Sequence, residues 1–97
     1  MSVADKLRAA RKIDIKVGDI TFHGTRATPE QFSRYATNTT TDAEVCRVHI
    51  DGWSGVKESD LIDGGSDEVI KFSRDDFSEA ISEKPDWYRP IVSKILE

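Results

Sequence analysis

The stretch Val48–Val56, which reads VHIDGWSGV, separates two kinds of sequence in this chain. It combines β-branched residues, a tryptophan and two glycines. The residues before it are predicted to contain a small sheet and its lead-in, and the residues after it read as a loop followed by two capped helices. A tryptophan can bury about 150–250 Å² on its own, which at about 25 cal/mol per Å² amounts to several kcal/mol. We therefore predict that Trp53 ties the hairpin side of the chain to its helices.

The segment Ile13–Thr25 has the pattern of a β-hairpin. Every second residue from Ile13 to Val17 is apolar, and the alternation resumes after Gly18-Asp19. That pair suits a two-residue turn, because glycine tolerates a positive φ. A hairpin alone is marginal in water, so we expect its apolar face to lie against helices.

Helix start signals recur along the rest of the chain. Thr28, Pro29 and Gln31 combine a capping box with a proline at the first helical position. Comparable signals, each a polar side chain placed to cap a helix, occur at Ser2, Thr41, Ser73 and Asp86.

Residues 43–50 are ambiguous, because their apolar side chains fit one face of a helix and equally one face of a strand. We favour a helix, since Thr41 and Glu44 form a capping pair before it and Gly52 is a suitable stop. Residues 58–68 are acidic and contain Gly64-Gly65, which is typical of a loop.

These patterns predict an α+β fold in a single domain over residues 1–97, with a small β-hairpin at about residues 13–25 packed against four to five short helices. The first helix, within residues 1–12, has a narrow apolar face and is predicted to be a mobile N-terminal segment. The predicted core residues are Phe22, Phe32, Trp53, Val56, Phe72, Phe77, Ile91 and Ile95.

Composition narrows the classes of function. The 97 residues carry 14 basic and 18 acidic side chains, a formal net charge of -4, which argues against a general nucleic-acid binder. A single cysteine, Cys46, fits a reducing compartment, and no apolar run has the length of a membrane span. We expect a cytoplasmic protein with no nucleic-acid or membrane partner. Its apolar fraction of 37% predicts a thin core that benefits from a protein partner or from self-association.

The glycines, serines, cysteine and histidines complete none of the catalytic or cofactor motifs that they suggest. The glycines match neither a Walker loop nor a dinucleotide fingerprint. Ser54 has Gly52 two residues before it, but Val56 replaces the second glycine of a nucleophile elbow. Cys46 and His49 stand one helical turn apart and would supply only one ligand pair of a zinc site. We therefore predict a protein that is not an enzyme and needs no metal or cofactor.

The start of the final helix is the candidate partner-binding site. Trp87, Tyr88 and Arg89 are adjacent there. Aromatic residues and arginine are enriched among the residues that anchor protein interfaces, whereas the alternative for Trp87 is simple core packing.

The order of motifs along the chain is a further indication of function. It carries GWSGV at residues 52–56, an acidic loop, IKFSRDDF at residues 70–77 and Pro85 before a closing helix. This order resembles that of the tail assembly chaperones of long-tailed bacteriophages and prophages, and the resemblance covers most of residues 13–95.

The resemblance implies a small, helix-rich protein with a hairpin that acts in the bacterial host cytoplasm. It would bind the tape-measure protein during tail morphogenesis and be absent from the finished virion. Two alternatives stay open: a structural phage component, such as a minor tail or head–tail connector protein, and a small Cys-His metal protein.

Overall fold

A computed structural model describes residues 2–97, so the prediction made for Met1 lies outside the described residues. Over that range the chain forms six helices and three strands. In chain order these are α1 (Val3–Ala10), β1 (Lys12–Val17), β2 (Ile20–Thr25), α2 (Pro29–Thr37), α3 (Asp42–His49), β3 (Ile50–Ser54), α4 (Glu58–Leu61), α5 (Arg74–Ile81) and α6 (Pro85–Ile95).

The predicted α+β fold is confirmed, and the hairpin pairs as its sequence indicates. Strands β1 and β2 are antiparallel, with Val17 opposite Ile20 across the Gly18-Asp19 turn. Gly18 has a φ of 62°, the left-handed value that favours glycine at this turn. The alternation places Ile15 and Phe22 in the core and leaves the polar residues on the opposite face of the sheet.

The third strand, β3, was not predicted. The preceding helix ends at His49, and Gly52 lies within the strand instead of stopping the helix. Strand β3 pairs antiparallel with β2, but Gly24 faces Ile50 while His23 faces Gly52, so β3 holds one extra residue at Asp51. This bulge buries Ile50 and Trp53, which are three residues apart, and thereby hides the two-residue period that identifies a strand.

The helix starts follow from side-chain caps. Thr28 accepts a hydrogen bond from the backbone N–H of Gln31 at 3.1 Å, and Thr41 accepts one from Glu44 at 3.2 Å. The helix assignment for residues 43–50 is therefore correct up to His49. The predicted loop 58–68 contains the one-turn helix α4, and its ends are joined by a bridge between Lys57 and Val69.

Aromatic rings hold the sheet to the helices. The Trp53 ring stands edge-on to Phe72, with ring centroids 5.2 Å apart, and its Nε1–H donates to the Ile70 carbonyl at 2.8 Å. Phe77 lies beside both Trp53 and Phe22, each at 6.2 Å between ring centroids. Six of the residues proposed for the core are buried: Phe22, Trp53, Val56, Phe77, Ile91 and Ile95.

Two residues proposed for the core are not fully buried. Phe72 is half-buried and packs against the edge of the core. Phe32 is 48% exposed, so its assignment to the core is wrong. Tyr35, one turn further along α2, takes the inward position because its hydroxyl has a polar partner in His49. Within residues 2–97, no helix has both the length and the apolar composition needed to cross a bilayer.

Candidate protein-binding surfaces

Helix α6 presents three sides, and they differ in burial. Trp87, Ile91 and Ile95 form the buried side. Trp87 is 5% exposed and stands edge-on to Phe22, with ring centroids 5.1 Å apart. Its proposed role as a partner anchor is therefore wrong for this conformation, because its indole is already covered by the core.

The other two residues proposed for partner binding point in different directions. Tyr88 is half-buried, and its backbone carbonyl lies 3.9 Å from the Cys46 thiol. Arg89 is exposed. Successive residues of a helix do not share a face, so the structure does not bring Trp87, Tyr88 and Arg89 together as one patch.

A mostly apolar cleft opens between α2 and α6, with Asp42 and Val45 of α3 also in its lining. We name it the α2–α6 cleft. Phe32 stands at its rim, with Tyr35 and Ala36 on the same helix and Val92 and Leu96 opposite. The cleft has a volume of about 130 Å³. Tyr88 and Val92 of α6 and its C-cap residue Leu96 are spaced at one turn each, so the half-buried side of α6 leads into this cleft.

Helix α2 is fixed in place at both ends. The backbone N–H of Ala27, just before it, donates to the Ile95 carbonyl of α6 at 2.9 Å. Near its other end, the Tyr35 hydroxyl is hydrogen-bonded to His49 Nε2 at 2.9 Å. Both walls of the α2–α6 cleft are therefore held before any partner arrives, which reduces the entropy lost on binding.

His49 is a buried polar junction between α3, α2 and the sheet. Its side chain is 3% exposed, and its two ring nitrogens are hydrogen-bonded to the Tyr35 hydroxyl and to Thr25 Oγ1, the latter at 3.3 Å. Burial lowers the pKa of His49 below its ordinary value of 6.5, and a hydrogen bond with Thr25 opposes this in part. Burial also raises the pKa of Tyr35.

We expect acid to destabilise the fold through His49. Its pKa is lower in the folded chain than in the unfolded chain, so the unfolded chain binds more protons between the two values. Stability is then fully present above about pH 6.5, the unfolded value, and decreases as the pH falls below it. Urea unfolding between pH 5 and 8, on the unmodified chain and on His49→Gln, would measure this. An equally steep decrease below about pH 6.5 in His49→Gln would contradict the assignment.

Cys46 and His49 do not act together. The Cys46 thiol is buried, and burial together with the nearby Asp42 raises its pKa to about 12. A thiol with that pKa is protonated at neutral pH and is a poor nucleophile or metal ligand. His49 is engaged by Tyr35 and Thr25 instead. Among residues 2–97, no group of three or more His, Cys, Asp or Glu side chains is placed to hold a metal ion.

Asp14, His23 and Ser54 form a hydrogen-bonded row across all three strands. Asp14 Oδ1 lies 2.7 Å from His23 Nδ1, and His23 Nε2 lies 2.9 Å from Ser54 Oγ. This atom order is that of a catalytic triad, but a triad also needs oxyanion donors around a bound substrate. Here the row lies on the solvent face of the sheet, and the Asp14 side chain is 72% exposed. We therefore interpret these side-chain hydrogen bonds as contacts that join neighbouring strands of the sheet.

A second groove lies between α4 and α5, and we name it the α4–α5 groove. Apolar side chains of Leu61, Ile62, Ile70 and Ala80 line it. Its volume is about 370 Å³. Carboxylates surround this apolar lining: Glu58 comes from α4, Asp76 and Glu79 come from α5, and Glu83 lies just after α5.

Comparison of the chain with protein-family models, with curated proteins and with solved structures gave no match.

Proposed function

We propose that this chain is a non-catalytic tail assembly chaperone of a long-tailed phage or prophage, which binds helices of the tape-measure protein in the host cytoplasm. The observation that carries the binding role is Phe32, an exposed aromatic residue on a firmly capped helix, at the rim of the apolar α2–α6 cleft. The choice of partner comes from the sequence resemblance.

The cleft suits one apolar side of an amphipathic helix. In this mode of recognition, side chains spaced by three and four residues enter a groove between two fixed elements. Phe32 would lie over such a helix, and covering its exposed half contributes about 1 kcal/mol, a fraction of the value for a whole side chain. A small contact of this kind gives weak, reversible binding, which is what temporary cover of a long helical protein requires.

Tyr88 and Arg89 stay predictions in this proposal. Tyr88 begins the row that continues through Val92 and Leu96 into the cleft, so a long partner helix would pass over it. Arg89 is exposed on the neighbouring side of α6, where it would contact acidic residues of the partner.

We expect Phe32→Asp to weaken binding, because a carboxylate at the rim would have to lose its water against an apolar helix. The chain, carrying an affinity tag, is co-expressed with the tape-measure protein, and the co-purified and soluble fractions of that protein are measured. Phe32→Asp should reduce co-purification at least about tenfold, the change that 1.4 kcal/mol produces. Val48→Asp is the matched control, since Val48 is 60% exposed on α3 and lies outside the cleft.

Two results would contradict the proposal. The first is a tape-measure protein whose solubility the unmodified chain leaves unchanged. The second is mass-spectrometric detection of the chain as a regular component of purified virions, which would favour a structural phage protein over a chaperone.

A further inference from the structure

We propose that helix α1 of one molecule docks in the α4–α5 groove of a second molecule, and that the exchange is reciprocal within a dimer. Every residue of α1 is exposed, including Val3 at 72% and Leu7 at 57%. An isolated helix of eight residues is marginal in water. Its apolar side therefore gains from a surface that covers it.

The charges of α1 are arranged around that apolar side. At 3.6 residues per turn, Val3, Leu7 and Ala10 form one stripe, with Lys6 on one flank and Arg11 on the other. Asp5 lies on the opposite side of the helix, where Arg8 pairs with it at 2.7 Å. The surface that α1 offers to a partner is thus apolar in the middle and basic at both edges.

The α4–α5 groove has the complementary arrangement. Its apolar lining includes Ile62, which is 62% exposed, and its edges carry the carboxylates of Glu58, Glu79 and Glu83 among others. Lys6 and Arg11 would meet these edges while Val3 and Leu7 cover the lining. Opposite charges at the rim of an apolar contact guide association and fix its orientation.

The tether of α1 favours the groove of another molecule over its own. Arg11 leads directly into β1, and the backbone N–H of Arg26 donates to the Arg11 carbonyl at 2.8 Å, which fixes this junction. The sheet order is β1-β2-β3, and α4 follows β3. Helix α1 therefore starts from the edge of the sheet opposite to the groove. This contact does not involve the α2–α6 cleft, so it stands or falls independently of the proposed function.

Charge reversal on each side of the contact provides the test. Variant A is Lys6→Glu with Arg11→Glu, and variant B is Glu79→Lys with Glu83→Lys. In variant A, α1 and the groove are both acidic. In variant B, two new lysines stand against the basic edges of α1, and only Glu58 and Asp76 remain as groove carboxylates. Neither variant should therefore form the dimer alone. In an equimolar mixture, the acidic α1 of variant A meets the two new lysines in the groove of variant B, and the basic α1 of variant B meets the unchanged acidic groove of variant A.

Sedimentation equilibrium on the full chain measures the outcome, with circular dichroism to show that each variant is folded. We expect the unmodified chain to dimerise, each variant to associate at least about tenfold more weakly, and the mixture to regain the affinity to within about threefold. Asp63→Lys with Asp67→Lys makes the same change of charge as variant B outside the groove and should leave the dimer largely intact. Leu7→Ser, which alters no charge, should weaken it.

Three results would overturn the inference. The first is an unmodified chain that stays monomeric up to about 1 mM. The second is an Asp63/Asp67 variant that weakens association as strongly as variant B does. The third is a mixture of variants A and B that fails to restore the dimer.

Discussion

Replacing Trp53 with alanine should lower the free energy of unfolding by about 3–5 kcal/mol, the range for large aromatic residues removed from a core. The ring contacts Phe72 and Phe77, so its loss opens a cavity between β3 and α5. Domains of this kind have only about 5–15 kcal/mol of stability in total. The variant should therefore lose a large share of the stability of the fold.

Urea unfolding followed by circular dichroism measures this loss, and Trp53→Phe is the matched control. Phenylalanine keeps most of the apolar contact but leaves the Ile70 carbonyl without the indole N–H that donates to it at 2.8 Å. It should cost about 1–2 kcal/mol, the value of one hydrogen bond and a smaller ring. If Trp53→Ala costs no more than Trp53→Phe, Trp53 does not link the sheet to α5.

Alanine at Gly24 should be nearly as damaging, although it adds a single methyl group. A Cβ atom at Gly24 would stand 2.3 Å from the His49 carbonyl oxygen and 3.0 Å from Ile50 Cδ1. The first contact is with backbone at the junction of α3 and β3, so relief requires the bulged pairing between β2 and β3 to open. We expect a loss of at least about 3 kcal/mol, the upper part of the range for overpacked sites.

Gly18→Ala separates this steric effect from the conformational freedom of glycine. At Gly18 an added Cβ would meet no atom within 4 Å among residues 2–97 other than Gly18 itself and its two chain neighbours, but φ is 62°. Only the cost of a left-handed alanine remains, about 1–2 kcal/mol. Equal losses for the two variants, measured by the same urea experiment, would show that close approach at Gly24 is not what limits substitution there.

The parts of the fold that depend on local sequence could be predicted. The β1–β2 hairpin follows from a two-residue turn between alternating segments, and α2 and α3 follow from Thr28 and Thr41 with their capping partners. Each of these signals acts within a few residues. Strand β3 could not be predicted, because its bulge at Asp51 is defined by pairing with β2 and breaks the alternation that would reveal a strand.

Which side chains are buried or lie close together was harder to predict than the helices and strands, because it depends on contacts between distant parts of the chain. Phe32 and Tyr35 lie one turn apart and both are aromatic, and the choice of which one turns inward depends on His49 in another helix. Trp87 is buried because Phe22 of the sheet lies beside it. The pairing of Asp14 with His23 did have a signal, since the turn at Gly18-Asp19 fixes the hairpin register and places them opposite each other. Ser54 could not be placed next to His23 in advance, because it lies in β3, the strand that was not predicted.

The bulge in β3 also affects how the protein behaves at high concentration. As the last strand in the order β1-β2-β3, β3 has an outer edge whose backbone groups are not used by β2. A regular edge of this kind recruits strands from other chains and seeds aggregation. The extra residue at Asp51 bends the strand and places an acidic side chain there. This edge is therefore a poor template for intermolecular β-sheet growth.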